Sequence, residues 1–183
     1  DAGATLWWLW TAPTSATVVV DTAGSDFDTT LDIFTGSTLA TLVPVTANDD
    51  SGPTVTSRVA FPVTALASYI IAVSGKNHAT GYAQLSISPA PANDTFANAT
   101  PLAGESAQST GRNNSATTEP REPRILGFAG GASLWYKWTA PRTGRFQVSA
   151  FTFDFNTLLA VYTGSSLANL ALVTATDDTD LTA

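Results

Sequence analysis

The sequence predicts an all-β protein made of antiparallel β-sandwich modules, jelly-roll-like and arranged in tandem. Short runs rich in β-branched and aromatic residues recur about every 10 residues, separated by turn residues, which is typical of sandwiches and jelly rolls. No 12-residue window carries the apolar stripe of an amphipathic helix. One long segment of the chain also occurs twice, which indicates repeated modules.

Most strand runs are bounded by Gly, Pro, Asn or Ser, the residues that favour turns. Outside the tryptophan-rich segments, the predicted strands are 17–21, 58–63, 68–75 and 83–88. The one candidate for a helical turn is 94–99, which Asn93 or Asp94 would cap before Pro101.

A tryptophan-rich strand recurs in both copies of the repeat. Side chains alternate between the two faces of a strand, so Leu6, Trp8 and Trp10 share one face. We expect this face to fill the core, because aromatic side chains bury a large apolar area. The equivalent face of the second copy carries Leu134, Tyr136 and Trp138.

Trp7 and Trp135 point to the opposite face of these strands. They are the candidate ligand-binding aromatics, since an exposed indole stacks on a sugar ring or covers a neighbouring module. Packing beneath a loop is the alternative interpretation, and it is the one we favour.

The repeat itself is unambiguous. Residues 3–55 align without a gap on residues 131–183 at an offset of 128, and 25 of the 53 positions are identical. GATLWWLWTAP at 3–13 matches GASLWYKWTAP at 131–141. The chain is therefore predicted to be part of an array whose unit is about 128 residues long.

The Pro-Ala stretch 89–92 has linker composition, and proline cannot donate to a paired strand. It separates a first module at 1–88, which lacks its N-terminal part, from a second module at 93–183, which lacks its C-terminal part. We expect the sequence to be an excerpt of a longer array, and the absence of methionine agrees with that expectation.

Composition excludes several kinds of chemistry. The chain has no cysteine, one histidine and a net charge of -7. Disulfides, cysteine-ligated metals and thiol nucleophiles are therefore absent, and a multi-histidine site within one chain is impossible. The acidic balance argues against nucleic acid, which needs a basic face. His78 lies in a Gly-bounded loop and is expected to be solvated, so we predict a protein that is not an enzyme.

Low lysine content and abundant Thr and Ser favour an extracellular or cell-surface location. The sequence contains no run of about 20 apolar residues, so we expect no insertion into a membrane.

Acidic residues recur at equivalent positions of the two copies. Carboxylate and amide oxygens on neighbouring loops suit calcium, the one cofactor that the sequence suggests. The alternative is that these residues accept backbone N–H bonds in turns. The candidate metal ligands are Asp26, Asp28, Asp49 and Asp50 in the first copy and Asp154, Asn156, Asp177 and Asp178 in the second. Asn93 and Asp94, with Glu119 and Glu122, form a further candidate oxygen cluster.

The motifs and their order resemble the bacterial pre-peptidase C-terminal domain and its tandem relatives in large secreted proteins. The motifs are NDTFANATPL (93–102), GGASLWYKWTAPRTG (130–144), DFNTLLAVYTGSSLANL (154–170) and TANDDSGPTVTSRVAF (46–61). The resemblance implies non-catalytic jelly-roll sandwiches, appended to secreted proteases or strung along surface proteins, some of which bind calcium or protein fibres. It also implies that Asn93 and Asp94 match the family's opening Asn-Asp pair, where calcium sits in the collagenase branch.

The expected function is that of a structural or adhesive repeat, forming a filament or stalk by strand complementation or as a covalent array. Its expected partners are neighbouring repeats or further copies of itself. The alternative is a carbohydrate- or protein-binding accessory module of a secreted enzyme such as a protease. A glycan or an extracellular protein would then be the ligand, and Trp7 and Trp135 would bind it.

Overall fold

The computed structural model describes residues 4–128, 131–152 and 155–177. These residues form β-strands joined by turns and four single-turn 3-10 helices, which confirms the all-β prediction. The strands are β1 Thr5–Thr11, β2 Ala16–Asp21, β3 Thr29–Thr35, β4 Val43–Asn48, β5 Arg58–Val63, β6 Ser68–Gly75, β7 Ser86–Pro89, β8 Thr100–Leu102, β9 Tyr136–Trp138, β10 Leu158–Thr163 and β11 Ala171–Asp177. Among the described residues, no helix is long and apolar enough to cross a membrane.

The chain divides into two compact units, Asp1–Ala90 (unit 1) and Pro91–Ala183 (unit 2). The last strand of unit 1, β7, begins three residues later and ends one residue later than the predicted strand 83–88. Pro89 lies opposite Val18 at the end of β7, and the N–H of Ala90 donates to the carbonyl of Thr17 at 2.9 Å. Proline is tolerated there because β7 is an edge strand.

Unit 1 is a sandwich of two antiparallel sheets, with strand orders β1-β6-β3-β4 and β5-β2-β7. Side chains from both sheets form one apolar core, because alternate residues of each strand face inward. Its fully buried centre includes Val20, Leu31, Ile33 and Ile71.

The tryptophan-rich strand β1 meets its prediction in part. Trp8 and Trp10 pack against the core of unit 1, as expected for the inward face. Leu6, the third residue of that face, is 50% exposed. Leu6 lies opposite Val73 near the start of β1, at the edge of the sheet.

The hairpin formed by β3 and β4 is repeated in unit 2 by β10 and β11. Both hairpins have the same antiparallel register, and both shift register at equivalent points, after Ile33 and after Val161. Each turn contains a 3-10 helix at the equivalent position, Leu39–Thr41 or Leu167–Asn169. This hairpin of the repeated sequence therefore folds the same way in both units.

The rest of unit 2 differs from unit 1. Residues 144–149 are equivalent to β2 yet form no strand. In unit 1, β2 is held between β5 and β7, and no strand pairs with 144–149 among the described residues. Strand β9, which is equivalent to the middle of β1, pairs instead with β8 in parallel.

The predicted turn at 94–99 forms a 3-10 helix at Phe96–Asn98. Its N-cap position is Thr95, so the expectation that Asn93 or Asp94 caps it is wrong. The N–H of Phe96 donates instead to the Glu119 carboxylate at 2.6 Å, which supplies the missing acceptor from another loop.

Candidate functional site

Three of the four acidic residues predicted in the first copy lie together at one end of unit 1. Carboxylate oxygens of Asp28, Asp49 and Asp50 lie within 4.8 Å of one another. Asp28 immediately precedes β3 and Asp49 immediately follows β4, so antiparallel pairing brings the two loops to the same end of the sheet. We call these three residues the acidic cluster.

A lysine from a third strand end occupies the acidic cluster. The Nζ of Lys76 lies 2.7 Å from the Asp49 carboxylate and 3.3 Å from that of Asp50. The hydrogen bond from Lys76 to Asp49 raises the pKa of the ammonium group above its ordinary value, and the hydrogen bond to Asp50 is the next largest cause. Lys76 follows β6, and its own N–H donates to the carbonyl of Asp28 at 2.9 Å.

The cluster therefore holds one internal cation against three carboxylates. Asp28 Oδ1 is buried and has no hydrogen-bond partner among the described residues. Because oxygen-rich sites suit calcium, the cluster has the donor set for that ion, but an ion there would compete with the Lys76 ammonium.

Asp26, the fourth predicted residue, does not join the cluster. Its Oδ1 accepts the N–H of Tyr82 at 2.7 Å, and its own N–H donates to the Tyr82 carbonyl at 3.2 Å. Gly81 allows this approach, because a Cβ at that position would collide with Asp26 Oδ1. Asp26 thus fastens the 81–82 loop, as the turn interpretation predicts.

Of the candidate metal ligands in the second copy, Asp154 and Asp178 lie outside the described residues. Asn156 is exposed. Asp177 ends β11 opposite Leu158, and its buried Oδ1 has no partner in the described part of the chain.

The other predicted oxygen cluster organises a loop of unit 2. Asp94 is 4% exposed and accepts both the N–H and the hydroxyl of Thr117, each at 2.6 Å. Glu119 accepts from Phe96, and the N–H of Glu119 donates to Glu122 at 2.9 Å. These oxygens are therefore engaged in hydrogen bonds that hold the loop.

Asn93 ties this loop to the tryptophan-rich segment. Its side-chain amide donates to the Trp135 carbonyl at 3.1 Å, and its own carbonyl accepts the Trp135 N–H at 2.9 Å. Asn93 is 8% exposed, so these bonds lie in a nearly buried part of unit 2.

The two candidate surface tryptophans have different surroundings. Trp7 is 48% exposed and contacts Phe34, with ring centroids 6.2 Å apart. Trp135 makes the equivalent contact with Tyr162 at 6.4 Å and also packs edge-on against Phe96 at 5.3 Å. Packing beneath a loop therefore describes Trp135, whereas the ring of Trp7 contacts Phe34 and stays half exposed.

Sequence reasoning missed a buried hydroxyl cluster in unit 1. Thr22 and Thr29 bond each other through their hydroxyls at 2.6 Å, and the N–H of Ser57 donates to the Thr22 hydroxyl at 2.8 Å. All three residues are at most 1% exposed. Thr and Ser are common throughout this chain, so their presence does not predict such a contact. The hydrogen bond between Ser57 and Thr22 joins residues 35 positions apart.

No protein-family model, no curated protein and no solved structure matches the chain.

Proposed function

We propose that this chain is a non-catalytic structural or adhesive repeat of a secreted or cell-surface protein, built on the plan of the pre-peptidase C-terminal domain. The observation that carries the proposal is the repeated hairpin. Two segments 128 positions apart form the same register, the same register shift and the same turn. Duplicated scaffolds of this kind are typical of modules strung along one chain.

The polar clusters agree with a structural role. The carboxylates of unit 2 hold a loop by accepting backbone N–H groups, and the acidic cluster of unit 1 is bridged by Lys76. Such arrangements fix loops between strands.

Two experiments test this proposal. In the first, one, two or three further copies of residues 56–183 are fused after residue 183. The maximum dimension of each protein is then measured by small-angle X-ray scattering. A tandem structural module lengthens the particle by a constant increment per repeat. A particle that stays equally long as repeats are added would contradict the proposal.

The second experiment incubates the chain with peptide, ester and glycan substrates. We expect no hydrolysis by the wild type. Turnover that disappears in His78→Ala would establish an enzyme and overturn the proposal.

The runner-up is a glycan- or protein-binding module, favoured by the 48% exposure of Trp7. On that hypothesis, Trp7→Ala abolishes ligand binding without lowering the melting temperature. On the structural proposal, Trp7 is the site that a segment equivalent to 93–130 covers, as Phe96 covers Trp135.

A further inference from the structure

We propose that unit 2 contains a slot one strand wide, between β9 and β10, which binds a β-strand with the sequence pattern of β6. The inference rests on the proposed function and names the partner of its second module. In unit 1 the equivalent position is filled, since β6 lies between β1 and β3. In the described part of unit 2, β9 and β10 belong to separate two-stranded sheets.

The open edge of β9 is the edge that binds β6 in unit 1. Backbone N–H and C=O groups of alternate residues in a strand point to opposite edges. Ala12 bonds to the β6 side in unit 1, through Leu66 and Ala67. The equivalent of Trp135 in unit 1 is Trp7, which lies an odd number of residues from Ala12. The backbone groups of Trp135 therefore point to the opposite edge, where they bond to Asn93 and Thr100 on the β8 side. Strand β8 therefore takes the outer edge, and no described strand pairs with the β6 edge.

The open edge of β10 is likewise the one that faces β6 in unit 1. Strand β3 pairs with β4 on one edge and with β6 on the other. Strand β10 keeps the equivalent pairing with β11 in the same register. Its other edge has no strand partner among the described residues.

An aromatic bridge holds the slot at the width of one strand. In unit 1, Trp7 and Phe34 contact each other across β6, with ring centroids 6.2 Å apart. The equivalent pair in unit 2, Trp135 and Tyr162, is 6.4 Å apart although no described strand lies between. The two flanking segments thus keep the spacing that accommodates β6.

The slot also defines the chemistry of the strand that fits. In unit 1, Ile71 and Val73 face the core at 0% and 1% exposure. Ala72 lies directly opposite Trp7, points to the other face and is 4% exposed, so the aromatic bridge covers it. The partner must therefore have apolar residues at the positions of Ile71 and Val73 and a small residue at the position of Ala72.

Unit 2 exposes apolar surface that such a partner would cover. Val148 is 54% exposed, and its equivalent Val20 is fully buried between β5 and β7. The segment that carries β5, β6 and β7, residues 56–92, supplies all three strands at once. We therefore identify the partner as a second segment of the 56–92 type that is not already paired. The chain's own copy is already paired within unit 1.

Engineered disulfides test the slot without background, because the chain has no cysteine. Thr30 lies opposite Ser74 in unit 1, and Leu158 is the equivalent of Thr30. The full chain carrying Leu158→Cys is mixed with segment 56–92 carrying Ser74→Cys, fused to a soluble carrier. Directly opposite residues of paired strands lie at a distance that a disulfide spans.

Two donor variants serve as matched controls. Ser68→Cys places the thiol six residues along the same strand face, about 20 Å away. Ala72→Leu, combined with Ser74→Cys, puts a large side chain where the aromatic bridge closes. We expect the Ser74→Cys donor to form the disulfide at least ten times faster than either control.

Equal rates for all donors, or no disulfide with Ser74→Cys, would overturn the slot. A chain carrying both Leu158→Cys and Ser74→Cys is expected to form no disulfide by itself. Disulfide formation there would identify the chain's own segment, or that of a second copy, as the occupant and overturn our choice of partner. Constant length increments in the scattering experiment, together with failed cross-linking, would reject the slot alone and leave the proposed function standing.

Discussion

Asp32 lies on β3 between the core residues Leu31 and Ile33, on the face that points away from the core. Burial raises the pKa of its carboxyl above the ordinary value, because desolvation disfavours the charged form. The second copy has Ala160 at the equivalent position.

We predict that Asp32→Ala and Asp32→Asn raise the melting temperature at pH 7. A raised pKa in the folded state means that Asp32 stabilises the fold fully only below its unfolded pKa, near 3.8, and that this contribution is lost as the pH rises through the folded pKa. The difference between variant and wild type should therefore shrink as the pH falls below 4. Thermal unfolding from pH 3 to 8 measures it, and a lower melting temperature for both variants at pH 7 would contradict the burial argument.

Lys76 determines how the acidic cluster responds to calcium. We predict that Lys76→Gln makes the melting temperature of unit 1 rise with added calcium more than that of the wild type, because removing the ammonium leaves three carboxylates without their internal counter-ion. Thermal unfolding with calcium or EDTA measures the effect, with Lys137→Gln as the matched control. Identical midpoints in calcium and EDTA for every variant would remove calcium from the account.

Gly36 and Gly164 have φ angles of 126° and 137° at the same place in the two hairpins. A Cβ on either would lie 2.5 Å from a backbone carbonyl oxygen, that of Thr41 or Asn169. We predict that Gly36→Ala destabilises unit 1 by about 1–3 kcal/mol, from backbone strain and the clash together. Gly52→Ala is the control, since Gly52 also has a positive φ but open space around it. Urea unfolding should show a smaller loss for Gly52→Ala, and equal losses would exclude the clash.

At the scale of the strand, the equivalent tryptophans Trp7 and Trp135 have different surroundings in the two units. We predict that Trp135→Ala destabilises unit 2 more than Trp7→Ala destabilises unit 1. Among the described residues, Trp135 has two aromatic contacts and Trp7 has one, and each such pair contributes about 0.5–1.5 kcal/mol. Urea unfolding of the two variants, followed by fluorescence, measures the difference. A greater loss for Trp7→Ala would contradict the view that residues 93–130 cover the aromatic face.

Strand positions were largely predictable because they depend on local alternation and turn residues. The predicted strands 58–63 and 68–75 agree with β5 and β6 to the residue, and 17–21 falls within β2. The failure at 144–149 has a physical reason. That segment is equivalent to β2, but a strand forms only where partner strands complete its backbone hydrogen bonds.

The candidate site could be predicted from the sequence only where residues at neighbouring strand ends are enough to form it. The approach of Asp49 to Asp28 follows from recurring acidic loops at two strand ends, whereas Lys76 enters from a third strand end and needs the sheet order. The hydroxyl contacts of Ser57 likewise depend on tertiary structure.

At the scale of the whole molecule, the two units are two partial versions of one module. Unit 1 pairs segment 4–55 with segment 56–90, and unit 2 pairs segment 131–177 with segment 93–128. Their fully buried side chains reflect this difference. The apolar core lies in unit 1, whereas the buried residues described in unit 2 are Asn93, Asp94 and Ala116.

The central claim is that β10 lacks, among the described residues, the neighbour that β3 has. Amide hydrogen exchange of the wild-type chain tests it most directly, because two equivalent segments of the repeat report from one sample. We predict that amides of 29–35 facing β6 exchange at least a hundred times more slowly than their equivalents in 157–163, and that 17–21 is protected whereas 145–149 is not. Equal protection of the two segments would show that β10 already has a partner on that edge and would contradict the account.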